Sequence, residues 1–189
     1  MTHANLRLDN HTLEVIQTDF VPIVPYNTTA VYIGMGQRYD VIVTATETTG
    51  NFWLRAIPQE SCSDNDNVDN ILGIVRYDST STDDPTTTAY TFTDSCDDED
   101  ISTLVPYLVS DVSATADITD EAVTLSRANN LVYWQMAGVS FVNQWDYHSV
   151  LQVAEGNDTW GTDQHAVEHP TANEWVYFVI STLFAQAHP

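Results

Sequence analysis

His165-Ala166-Val167-Glu168-His169 has the H-x-x-E-H spacing of some zinc peptidases. That chemistry needs a helix, which sets both histidines on one face with the glutamate as general base. Pro170 follows directly and disfavours helical geometry at His169. Two loop histidines are therefore expected. Gly34-Met35-Gly36-Gln37-Arg38 offers a Gly-x-Gly, but the third glycine is missing and a strand follows, so a tight turn is expected. Asp97-Asp98-Glu99-Asp100 could hold a hard cation, yet it lacks EF-hand spacing and the turn glycine, so it reads as a solvated acidic loop. Cys62 and Cys96 are the two cysteines, and both lie in Asp/Ser-rich loops. An even count in polar loops favours one disulfide and an oxidising compartment. Closing that loop would stabilise the chain by roughly 3–4 kcal/mol in the chain-entropy picture. The rival is a pair of metal thiolates; no histidine lies nearby in the sequence and the spacing matches no zinc pattern.

The elements that must position these residues are strands. In Arg38 to Ala45, the residues Tyr39, Val41, Val43 and Ala45 fall on one face and Arg38, Asp40 and Thr44 on the other, the period of a half-buried strand. Leu13 to Ile16, Val31 to Ile33, Asn51 to Ile57 and Ile71 to Tyr77 have the same β-branched and aromatic character. Their spacing predicts a two-sheet sandwich. In residues 78–100, eighteen of 23 are Asp, Glu, Ser or Thr, a composition that cannot bury a core, so an inter-domain linker is expected. Three segments follow: a first domain over 1–77, the acidic linker over 78–100, and a second unit over 101–189. Leu131 to Met136 and Glu174 to Ile180 are the clearest strands of that second unit, and 143–153 reads as a short helix. Residues 155–173 read as loop. The chain stops soon after an apolar strand, so a fragment cut at both ends is expected.

Composition excludes several partners. There are 27 acidic and five basic residues, all five arginines, for a net charge of −22. No basic patch is available for nucleic acid, nor for an anionic membrane surface. No stretch is long and apolar enough to cross a bilayer as a helix. Hydrophobic residues make up 43% of the chain, enough for a packed core. Asn-x-Thr sequons stand at Asn10, Asn27 and Asn157. Asn10 opens an expected strand, whereas Asn27 and Asn157 lie in loop-like sequence. With the cysteines, they point to a secreted, extracellular glycoprotein.

Asp9-Asn10-His11-Thr12-Leu13-Glu14-Val15-Ile16-Gln17-Thr18-Asp19-Phe20-Val21-Pro22-Ile23-Val24-Pro25 resembles the second cupredoxin domain of fungal laccases, in the multicopper oxidase family. Ile33 to Val43, with its Gly36-Gln37-Arg38-Tyr39-Asp40, resembles it too, as do Asn51 to Arg55 and Ser102 to Leu108. The resemblance covers nearly the whole chain and is weakest over 139–173. It implies an all-β fold of cupredoxin-like Greek-key sandwiches or barrels, the second one incomplete. Residues 1–77 would be most of the second such domain, 78–100 the linker and 101–189 the start of the third. The cysteine positions resemble a disulfide pair of ascomycete laccases.

What the resemblance implies about function is a one-electron oxidation of phenols coupled to four-electron reduction of O2 to water, of the kind used in lignin degradation. The full enzyme would be a monomer carrying four copper ions. In that family the last strand leads into His-Pro-x-His-x-His-Gly, whose first histidine binds the type 1 copper. His188 matches that ligand by position, although the stretch Ser181 to Ala187 before it is unusual. The type 1 cysteine, a second histidine and most trinuclear ligands would lie outside these 189 residues. At most one copper ligand is thus expected, and the piece alone should not catalyse. Trp145, after Val142-Asn143-Gln144, resembles a phenol-pocket tryptophan, with Asn143 beside it; a core tryptophan is the other reading. The loop Gln59-Glu60-Ser61 is a second wall candidate, with Ser61 facing substrate. The alternative to an oxidase is a non-catalytic, secreted, acidic β-sandwich that binds a partner such as a sugar through its exposed aromatics.

Overall fold

A computed structural model describes residues 3–68, 71–114, 117–169 and 171–184. Nearly all regular structure is β, in two compact units that divide between Ser110 and Asp111.

Among the described residues the first unit contains seven strands: β1 (Ala4–Leu8), β2 (Leu13–Thr18), β3 (Val21–Thr28), β4 (Val31–Ile33), β5 (Tyr39–Val43), β6 (Asn51–Pro58) and β7 (Leu72–Arg76). They form two antiparallel sheets, in the orders β4-β1-β6-β7 and β3-β2-β5. Each remains an open sheet rather than part of a closed barrel. Leu8, Val31 and Phe52 from the first sheet meet Leu13, Val15 and Ile23 from the second, and these six are buried. Alternation builds this core: on β2, Leu13 and Val15 point inward while Glu14 does not. Pro22 and Pro25 fall on β3, an edge strand of its sheet, where a missing amide is tolerated. Its outer edge is met by Val105 and Tyr107: Val24 N donates to Val105 O at 2.8 Å and Tyr107 N to Pro22 O at 2.9 Å.

β1 was not expected from the sequence, because its polar face is the buried one. His3, Asn5, Arg7 and Asp9 recur with period two and all are buried. Residues 78–100, expected to link two domains, have no regular secondary structure and are hydrogen-bonded to β1 and β6 of the first unit.

The second unit holds β8 (Asp117–Ala128), β9 (Leu131–Met136), the helix α1 (Ser149–Ala154) and β10 (Val176–Thr182). β8 and β9 form a hairpin closed by Asn129 and Asn130, both at positive φ, which asparagine tolerates. β10 runs parallel to β8, giving the order β10-β8-β9. β8, like β1 and β3, is a strand the sequence reading missed. The helix is shorter than the 143–153 expected and begins later, where the His148 side chain accepts the Leu151 amide.

Candidate functional site

Ser61 is held by the acidic segment. Asp94 accepts from both Ser61 N, at 3.0 Å, and Ser61 Oγ, at 3.1 Å. Next to this contact, Cys62 and Cys96 form a disulfide. Further back, the same segment is clamped onto the polar stripe of β1. Arg55 Nη2 lies 2.7 Å from Asp9 Oδ2, Thr87 Oγ1 donates to the same oxygen at 2.7 Å, and Arg7 Nη1 donates to Tyr90 O at 2.7 Å. The Arg7 guanidinium also stands 4.5 Å from the Phe92 ring centre. Burial works to raise the Asp9 pKa, but the hydrogen bonds from Arg55 and Thr87, together with the charges of Arg55 and Arg7, hold it below the usual carboxylate value. The same Asp9 hydrogen bond raises the Arg55 pKa. Glu99 closes the far end: it accepts from Tyr26 OH at 2.8 Å and from Tyr32 N at 2.9 Å. Burial first, and then this bond, push the Tyr26 phenol well above its usual value.

In the second unit, Trp145 is 83% exposed, and Asn143 is exposed as well. Within this unit Trp145 is not a core residue. The segment carrying both is tied to the loop that precedes His165. Val142 N donates to Asp163 O at 3.0 Å, and Gln144 Nε2 to Asp163 Oδ2 at 3.2 Å. That loop is anchored in turn on the sheet, where His165 Nε2 lies 2.9 Å from Oε2 of the buried Glu121 on β8.

The other sequence candidates resolve into structural roles. His165 to His169 is not helical, and His165 itself is at positive φ. His165 pairs with Glu121 while His169 packs edge-on against Phe178, so the zinc-peptidase geometry is absent. Gly34 to Gln37 is a turn, with Gln37 N donating to Gly34 O. Glu99 is spent on its bonds to Tyr26 and Tyr32, and Asp100 on a local one, accepting from Ser102 N at 2.9 Å. Asn10 is exposed at positive φ in the turn after β1, rather than opening a strand as expected. Asn27 is exposed on β3, and the half-buried Asn157 donates to Tyr147 OH. His188 lies outside the described residues.

The sequence reading also missed His3. It argued against metal thiolates because no histidine lies near the cysteines along the chain. In the fold His3 is beside them: a ring nitrogen and both sulfurs lie within 4.8 Å of one another. Among the described residues this is the only group of three His, Cys or carboxylate side chains close enough to share a metal ion. With both sulfurs bonded to each other, the described residues do not assemble a type 1 or trinuclear copper centre.

Residues 1–80 match the family model described as "Multicopper oxidase". The whole chain is 40% identical to Laccase-2 of Botryotinia fuckeliana over 193 residues, which are 33% of that protein. The chain is similar to the multicopper oxidases. Oxidoreductase OpS5 of Beauveria bassiana is 39% identical over 99% of this chain and 33% of its own length. The solved laccase of Botrytis aclada superposes with a TM-score of 0.81 at 37% identity, over 96% of this chain and 33% of that one. The chain thus spans about a third of the length of the curated relatives it matches. This kinship displaces the non-catalytic binding module as a reading and supports the cupredoxin-like fold expected from the sequence.

Proposed function

We propose that the chain is part of a secreted, laccase-type oxidase. The complete protein takes single electrons from phenols at a type 1 copper and passes them to O2, which four electrons and four protons reduce to two waters. The observation that carries this reading is the likeness to fungal laccases along essentially the whole chain at 37–40% identity. Copper belongs to the complete protein; from these 189 residues we assign His188 as its one candidate type 1 ligand.

The role of this chain is then to shape access for the phenol. We assign residues 1–77 to the second cupredoxin-like domain, 78–100 to the segment that joins it onward and 101–189 to the third. Trp145 stacks on the phenolic ring, which its exposure leaves it free to do. Asn143 and Ser61 contribute polar wall contacts, and the ties to Asp163 and Asp94 keep those segments in place. Glycans on Asn10, Asn27 and Asn157 and an extracellular location follow from the same reading. Turnover of lignin-derived phenols is its natural use.

The test is His188→Ala in the complete protein. We expect loss of the blue charge-transfer band and of phenol oxidation. An unchanged blue band refutes the His188 assignment. Trp145→Ala should raise KM for a phenol about tenfold, equivalent to about 1.4 kcal/mol, while leaving the blue band intact.

A further inference from the structure

His3, Cys62 and Cys96 come from three distant parts of the chain and meet at one point. His3 is 94% buried, and its two ring nitrogens stand in different surroundings. Nε2 lies 3.4 Å from Asp98 Oδ1, whereas Nδ1 is buried with no hydrogen-bond partner among the described residues. A buried ring nitrogen without a partner is costly and calls for an explanation. A carboxylate behind one imidazole nitrogen with the other left free is the arrangement that orients metal-ligating histidines.

We propose that, when the Cys62–Cys96 bond is reduced, the two thiolates and His3 Nδ1 form a binding site for one Cu(I) ion, with Asp98 orienting the imidazole. The donor set is two soft sulfurs and one imidazole nitrogen, which suits Cu(I). The site is independent of the type 1 and trinuclear centres and does not rest on the oxidase reading. The chemistry balances. A phosphine reductant supplies two electrons, water supplies the oxygen of the phosphine oxide and the two thiol protons, and the S–S bond breaks. Cu(I) then displaces both thiol protons.

The ligands stay together without the disulfide because their segments are tied independently of it. Asp94, two residues before Cys96, holds Ser61, the neighbour of Cys62. Glu99, three residues after Cys96, is bonded to Tyr26 and Tyr32. Gln59 links the other two ligands: its amide donates to His3 O at 2.8 Å and its carbonyl accepts Cys62 N at 3.1 Å. The Cα atoms of the cysteines are 4.7 Å apart, close enough for both sulfurs to reach one ion. Cys96 is exposed, which gives the reductant access.

The full chain is reduced with a phosphine, freed of reductant without oxygen, and titrated with Cu(I) in competition with bicinchoninate. Hydrogen exchange of the β1–β6 ladder is followed alongside. One equivalent should bind with ladder protection retained, and the oxidised chain should bind none. His3→Gln should weaken binding about tenfold or more, Asp98→Asn should weaken it less, and Cys62→Ser or Cys96→Ser should remove stoichiometric binding. Equal affinity in wild type and His3→Gln would overturn the proposal. So would an absence of binding to the reduced chain, or loss of the ladder on reduction, since the site requires the acidic segment to stay seated. Because Asp98→Asn lies on the exposed side of the site, it remains a usable variant should His3→Gln fail to fold.

Discussion

In the first unit, six apolar side chains from two sheets are buried against each other. In the second, a three-stranded sheet of similar composition buries no apolar side chain among the described residues. The buried residues of the unit are Glu121 on the sheet and Gln152 on the helix, while Phe178, Val179, Ile180, Trp134 and Val132 are exposed. Strand-forming sequence alone therefore does not make a core; a second layer does. The difference extends to the way each unit holds a candidate wall. Ser61 is fixed by a disulfide, a carboxylate and a clamp of buried charges. Trp145 depends on Asp163 and on one histidine–glutamate pair.

This contrast can be broken in steps. Phe52→Ala removes a core ring that also contacts His11 and Tyr77, and should destabilise the first unit by about 3–5 kcal/mol, read by urea denaturation. Asp9→Asn removes the charge that Arg55 and Thr87 share and should cost about 1.5–3 kcal/mol, with faster amide exchange at residues 87–92. Acid should reproduce that effect in the wild type. The Asp9 pKa is depressed in the folded chain, so its stabilisation is complete above the ordinary carboxylate value of about 3.9. That contribution fades as the pH falls through the lower folded value, and Asp9→Asn should flatten the acid limb of the stability curve. Ile180→Thr, on a side chain 64% exposed in the second unit, should change stability by less than about 0.5 kcal/mol. A loss as large as that for Phe52→Ala would mean that Ile180 sits in a core after all.

Much of the first unit was legible. Apolar alternation identified β2, β4, β5, β6 and β7, since each puts apolar residues on at least one face. β1 was illegible because His3, Asn5, Arg7 and Asp9 look solvated, and only the acidic segment lying over them turns that face into an interior. For the same reason residues 78–100 looked like free linker: Asp94 and Glu99 are bonded one by one to partners far away in sequence, which leaves no periodic trace. Among the candidate site residues, the disulfide could be read from cysteine context, whereas Trp145 is singled out only by its likeness to a pocket tryptophan. Glu121, Asp163 and His3 could not, because each acts through a contact that only the fold creates.

The oxidase reading turns on sequence adjacent to these 189 residues, so the most direct test is to sequence the transcript across both ends. The complete oxidase should show x-His-x-His-Gly directly after Pro189, a His-Cys-His further on, and a histidine-bearing cupredoxin domain upstream. A stop codon after Pro189, with no such domain upstream, would contradict it, leaving a chain that cannot assemble the four-copper centre.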